Sequence, residues 1–169
     1  MNIAWGESCL APAKINELLH VIVRLDNGFH QLQTVFRLID FHDVLRFYPR
    51  KDNQIRLISE HDGIDAKNDL ATTAARLLQQ YTGSNQGVDI EIEKHIPLGS
   101  GLGGGSSNAA TTLMALNALW ETSLDLKTLQ ALGLQIGADV PFFIFGQEAF
   151  AEGIGEHLTP VSLPERLYL

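Results

Sequence analysis

Only one cysteine, Cys9, occurs in the 169 residues. Neither an internal disulfide nor a thiolate metal cluster can form, as expected of a chain from a reducing compartment. Long apolar runs are missing too: the longest, Leu113–Leu116 and Phe142–Phe145, span four residues each, against the ~20 that a membrane-crossing helix needs. No basic stretch leads into an apolar segment over Met1–Leu10, and no Arg/Ser-rich amphipathic pattern appears there, so a cytoplasmic location is expected. Basic runs are equally scarce. Twelve Lys and Arg stand against 20 Asp and Glu, a formal charge of −8, which gives no general attraction for a phosphodiester backbone and excludes nucleic acid and membrane as expected partners. A small anionic ligand needs only local donors and stays open, as does a homodimer.

What is present is a folded-domain composition, 45% apolar and 19% charged, long enough for one domain or for a domain and the start of another. From Lys14 to Val23 the chain is apolar and β-branched, then meets Asn27-Gly28, the strongest short hairpin signal. Thr34–Phe41, Val44–Tyr48 and Ile55–Ser59 read as further short strands. Leu70, Ala74, Leu77, Leu78 and Tyr81 recur at helical spacing, after a cap at Asn68 or Asp69 and before a stop at Gly83. Val88–Glu93 alternates strictly and predicts a strand with one buried face. Ala109–Trp120 predicts a buried helix capped by Ser106, Ser107 or Asn108, Leu124–Leu134 a second, Phe142–Phe145 a strand, and the remainder through Gly153–Gly155 a hairpin. Strands and helices mix without strict alternation, so the fold class is α+β rather than a doubly wound sheet.

The densest chemical signal lies between Pro97 and Asn108, where five of the chain's fifteen glycines fall in seven positions, 99–105. Strand, glycines, serines and helix follow in the order that lets backbone N–H groups and a helix N-terminus wrap a phosphate. Ser106 and Ser107 can bind a phosphate oxygen or Mg²⁺, or cap the helix. No Gly-Lys follows, so the P-loop pattern fails, and no second parallel strand ending in an acid follows, so the dinucleotide fingerprint fails as well.

Four segments together resemble the GHMP kinases: Pro12-Ala13-Lys14-Ile15-Asn16; Asn27-Gly28-Phe29-His30-x-Leu32-x-Thr34-Val35-Phe36; Pro97 through Ala110; and Gly137-Ala138-Asp139-Val140-Pro141. The second narrows the resemblance to the members that act on a cytidine-diphosphate ester of methylerythritol in isoprenoid precursor synthesis. The resemblance implies an α+β N-terminal domain like ribosomal protein S5 domain 2 over residues 1–160, with 161–169 opening a truncated C-terminal domain. It implies ATP as phosphoryl donor, Mg²⁺, and transfer to the 2-hydroxyl of the ester. Asp139 would act as base on that hydroxyl and Lys14 would orient it. Pro97, Gly99, Gly101, Gly103, Gly104, Gly105, Ser106, Ser107, Lys94 and Asn68 would hold the nucleotide, and Asn16, Phe29, His30, Phe36 and Ala138 the cytidine-diphosphate substrate. Two residues depart from the family pattern: Phe29 replaces a usual Tyr, and Glu17 a usual apolar residue. The implied alternatives are another GHMP kinase, for mevalonate, homoserine or a sugar, and a nucleotide-binding sensor of the same fold without turnover.

Overall fold

The computed structural model describes residues 3–24, 30–59 and 69–164, with His30 described in its backbone alone. In chain order the elements are β1 (Cys9–Arg24), β2 (His30–Arg50), β3 (Ile55–Leu57), α1 (Leu70–Thr82), β4 (Gly87–Glu93), α2 (Gly104–Leu119), α3 (Leu126–Ile136), α4 (Val140–Phe145), β5 (Ala149–Glu152) and β6 (His157–Pro160). β1 and β2 pair antiparallel from Arg24 opposite His30 to Cys9 opposite Leu45; the predicted turn at Asn27-Gly28 lies outside the described residues. On its other edge β2 carries β4 along Val44–Arg50 and β5 along Thr34–Phe36. β3 adds parallel to β4, and β6 closes a hairpin with β5.

The sequence splits β2 in two because His42 and Asp43 read as a polar break. The strand instead runs through them. The β1 partner jumps from His42 at Pro12 to Ile39 at Ala13, and this bulge leaves Asp40 and Phe41 without a β1 partner while the ladder continues.

α1 starts where predicted, at Asp69, whose Oδ2 accepts from the Thr72 N–H at 2.7 Å, and ends at Gly83 in the left-handed conformation. Burial pushes the Asp69 carboxyl above its ordinary range, against the opposing pull of the Thr72 donors and Lys94. A carboxyl that binds its proton more tightly folded than unfolded burdens the fold when ionised, a cost present at neutral pH that fades as pH falls through the raised value. Asp69→Asn keeps the cap and sheds the charge, so thermal unfolding should show a Tm at or above that of the parent at pH 7, the difference shrinking toward about pH 4. Asp69→Ala should lose about 1 kcal/mol.

Phe142–Phe145 is helix α4, not the predicted strand. A four-residue apolar run carries no period to separate the two; Pro141 is placed in the first helical turn, where its missing donor costs nothing, and Gly146 closes the helix in the left-handed region. Packing settles the choice, because Val140 to Ile144 are all buried and the Phe142 ring lies 4.6 Å from Phe36 and 5.4 Å from Phe143. α2 packs on β1 and β2 with α1 and α4 beside it. β4 alternates as predicted: Val88, Ile90 and Ile92 are buried, while Asp89 and Glu91 meet Arg50 and Tyr48 on the other face.

Glu17, the polar departure in β1, is matched by Arg37 of β2, whose Nε lies 2.6 Å from Glu17 and 3.3 Å from Glu148. The same guanidinium donates to the Pro164 carbonyl. Among the described residues no helix is long and apolar enough to cross a membrane.

Candidate active site

The glycine segment folds as a loop that climbs onto the edge of β1 and turns into α2. The Lys14 N–H donates to the Leu102 carbonyl at 2.9 Å, so the free edge of β1 holds the loop by a sheet-like bond. Gly99, Gly101 and Gly103 have φ of 68°, 77° and 75°, a region that residues with a Cβ visit at a cost. Helix α2 begins at Gly104, inside the loop and earlier than predicted, and Gly103 caps it with no side-chain bond. Three serine or asparagine caps are therefore not used, and the first-turn amides, which an α-helix leaves without internal partners, stay open beside the loop.

Around them lies a cavity of about 340 Å³ lined by Leu70, Lys94, Ser106 and the 97–105 loop. Glycine is required at two points of its wall by space. A Cβ on Gly103 would sit 2.8 Å from Phe143 Cζ and 3.2 Å from Lys14 Cγ; on Gly104 it would sit 2.9 Å from Ile96 Cγ2 and 3.2 Å from Lys94 Nζ. The loop is thus pressed between the two lysines.

On the Lys14 side, β1 presents Lys14 and Asn16 on one face, two residues apart as the pleat demands. Lys14 is 6% exposed. Its Nζ donates to Asn16 Oδ1 at 2.7 Å, lies 3.3 Å from Asp139 Oδ2 and stands 5.1 Å above the Phe36 ring. Asn16 in turn donates to Thr34 Oγ1 at 2.8 Å, and Thr34 donates to the Leu18 carbonyl at 2.6 Å, across the register irregularity between Asn16 and Leu18. Asp139 caps α4 without a side-chain cap bond, and its carboxylate is one-third exposed. A Cβ on Gly137 would lie 3.8 Å from Ser106 Oγ, so the 137–139 loop adjoins the start of α2. The ion pair therefore adjoins the cavity across Gly103 and Ser106.

Residues 69–147 match the family described as GHMP kinases N terminal domain. Those residues carry the GHMP kinase N-terminal pattern. Over 161 residues it is 55% identical to the 4-diphosphocytidyl-2-C-methyl-D-erythritol kinase of Aromatoleum aromaticum, covering 95% of this chain and 57% of that protein. It is 56% identical to the protein of the same name from Ralstonia pickettii, covering 95% and 56%. A crystal structure of 4-(cytidine 5'-diphospho)-2C-methyl-D-erythritol kinase superposes with a TM-score of 0.80 at 42% identity, covering 94% of this chain and 56% of that one. Homoserine kinase from Cytophaga hutchinsonii shares the fold, with a TM-score of 0.76 at 20% identity, covering 97% and 54%. The chain spans about half the length of the curated relatives it matches.

Pro97, Gly99, Gly101, Gly103, Gly104, Gly105, Ser106 and Lys94 all line the cavity, and Lys14, Asn16 and Asp139 meet beside it. Ala138 is half-buried next to Asp139. Ser107 does not reach the cavity: one helical step past Ser106 turns it to the packed side, where it is fully buried and its hydroxyl finds no partner among the described residues. Phe36 is 2% exposed. It sits under Lys14 and against Phe142, so no ring face is open to a pyrimidine. Asn68, Phe29 and the His30 side chain lie outside the described residues. Two residues went unread. Thr34 reads in the sequence as an ordinary strand residue, and Asp43, wholly buried on β2, accepts from Lys94 Nζ and from the His95 and Ile96 N–H groups, the latter two at 2.8 Å each.

Proposed function

We propose that the protein is a small-molecule kinase that moves the γ-phosphoryl of ATP to the 2-hydroxyl of 4-diphosphocytidyl-2-C-methyl-D-erythritol. The observation that carries this reading is the Lys14–Asp139 pair, 3.3 Å apart, beside an amide-lined glycine cavity; a site that only bound nucleotide would have no use for it. The likeness to proteins named for that substrate supports the choice of acceptor.

The glycine loop and the open amides of α2 hold the phosphates, with Lys94 at the wall. Asp139 takes the proton of the attacking hydroxyl as the new O–P bond forms and the bond from the γ-phosphorus to the bridging oxygen breaks, leaving ADP. Lys14 orients the Asp139 carboxylate and offsets charge at the attacking oxygen; Asn16 and Thr34 hold Lys14 in turn. Mg²⁺ borne by the nucleotide would supply further charge compensation. Such an ion is held largely by phosphate oxygens and waters, and the Ser106 hydroxyl on the cavity wall would be the protein oxygen beside it. Residues 1–160 act as the nucleotide-binding domain and 161–169 open a second domain. A cytoplasmic setting completes the reading.

The test is product formation from ATP, Mg²⁺ and the cytidine-diphosphate ester, followed by mass spectrometry, with this chain and with a form extended to the length of its relatives. Phosphorylated product from the extended form is the expected result. A folded protein that binds ATP yet yields no product would overturn the acceptor.

A further inference from the structure

Lys94 is the one charged side chain among the described residues lining the glycine cavity, and what holds it there is Asp43. This carboxylate is fully buried, a placement that requires donors to replace lost water. It has three, the Lys94 ammonium and the N–H groups of His95 and Ile96. They come from consecutive residues, the ones that connect β4 to the glycine loop.

A lysine stem has large rotamer freedom and, left alone, carries its charge out to water. Here the side chain is 12% exposed, and its Nζ lies against the Gly104 backbone, 3.2 Å from where a Cβ would stand. The same carboxylate fixes the path of residues 95 and 96, and the Ile96 side chain is the floor under Gly104. One buried group thus sets both the cation and the backbone of the cavity. An ammonium has three protons to donate; Asp43 engages Lys94 from behind and leaves the others for a ligand.

We propose that Asp43 is a positioning residue for nucleotide capture, acting through Lys94. This rests on the reading of the cavity as an ATP site. Asp43→Asn keeps an oxygen for the amides but turns an amide donor toward the ammonium, releasing Lys94.

The experiment is calorimetric titration of ATP into the protein at the length of its relatives, comparing D43N, K94M and D43N/K94M. D43N should raise the Kd about tenfold or more, and in turnover the rise should appear in KM for ATP and not in KM for the alcohol. The double variant should bind no more weakly than K94M. An unchanged Kd in folded D43N, or a double-variant loss equal to the product of the single losses, would overturn the proposal, since Asp43 would then not act through Lys94. Should D43N fail to fold, D43N/K94M, in which no charge is left unmatched, is compared with K94M, in which Asp43 keeps its two backbone amide donors: equal Kd values support the proposal and a further rise defeats it. Absence of saturable ATP binding by the unsubstituted protein would overturn the ATP reading itself, and this inference with it, before any substitution is compared.

Discussion

Asparagine in place of Asp139 is expected to lower turnover by about 10²–10⁴-fold, the range that a positioned general base contributes, while ATP affinity is unchanged. The split follows from the geometry. Asp139 stands on the Lys14 side of the loop, whereas the nucleotide cavity is walled by Lys94 and residues 97–106. The fold should survive, because Lys14 keeps Asn16 Oδ1 at 2.7 Å and the Phe36 ring beneath it, and the carboxylate makes no cap bond to α4 that asparagine would forfeit. Single-turnover kinetics with a parallel ATP titration checks both halves. If affinity falls in step with turnover, Asp139 is part of nucleotide binding and the base role is lost.

The second large effect is expected at Gly103. Alanine there meets two penalties. Its φ of 75° costs a non-glycine residue about 1–2 kcal/mol, and its Cβ would fall 2.8 Å from Phe143 Cζ and 3.2 Å from Lys14 Cγ, an overpacking worth about 1–3 kcal/mol more. Relief requires Lys14 or Phe143 to move, so ATP affinity and turnover should both fall, each by more than about tenfold, with a Tm loss of about 2–4 °C per kcal/mol. Gly101→Ala is the matched comparison: φ is similar at 77° but a Cβ meets nothing. It should show the backbone cost alone. Equal effects at the two positions would mean that the contact with Lys14 and Phe143 does not matter.

Elements with a clear period were legible in the sequence. Leu70 to Tyr81 and Val88 to Glu93 each repeat long enough to choose between helix and strand, and both appear as expected. Phe142–Phe145 was misread for the opposite reason: four apolar residues fit either form, and the decision belongs to long-range packing on Phe36. β2 was divided because the polar residues 42 and 43 look like a loop when their partners are unseen; Asp43 is tolerable in a strand only because residues 94–96, 51 to 53 positions away, bring it donors. For the same reason it was missed as part of the site. The glycine cluster was legible because a loop that wraps a phosphate demands glycines at close spacing, whereas Lys14, Asn16 and Asp139 were legible only through the resemblance of their motifs to the GHMP kinases. Phe36 was assigned to the substrate through the resemblance, and a motif match does not say which side of a sheet a ring faces.

Both cations of the site carry a carboxylate of their own, Lys14 with Asp139 and Lys94 with Asp43, on a chain of net charge −8. Seen from solvent, a polyanion approaching the cleft meets no excess positive field. Diffusional encounter is therefore unassisted and, against the molecule's overall sign, somewhat opposed; added salt quickens it by shortening the Debye length. Recognition begins only at contact, when backbone amides come within hydrogen-bonding range, which makes the cleft a selector of shape before it is a collector of charge.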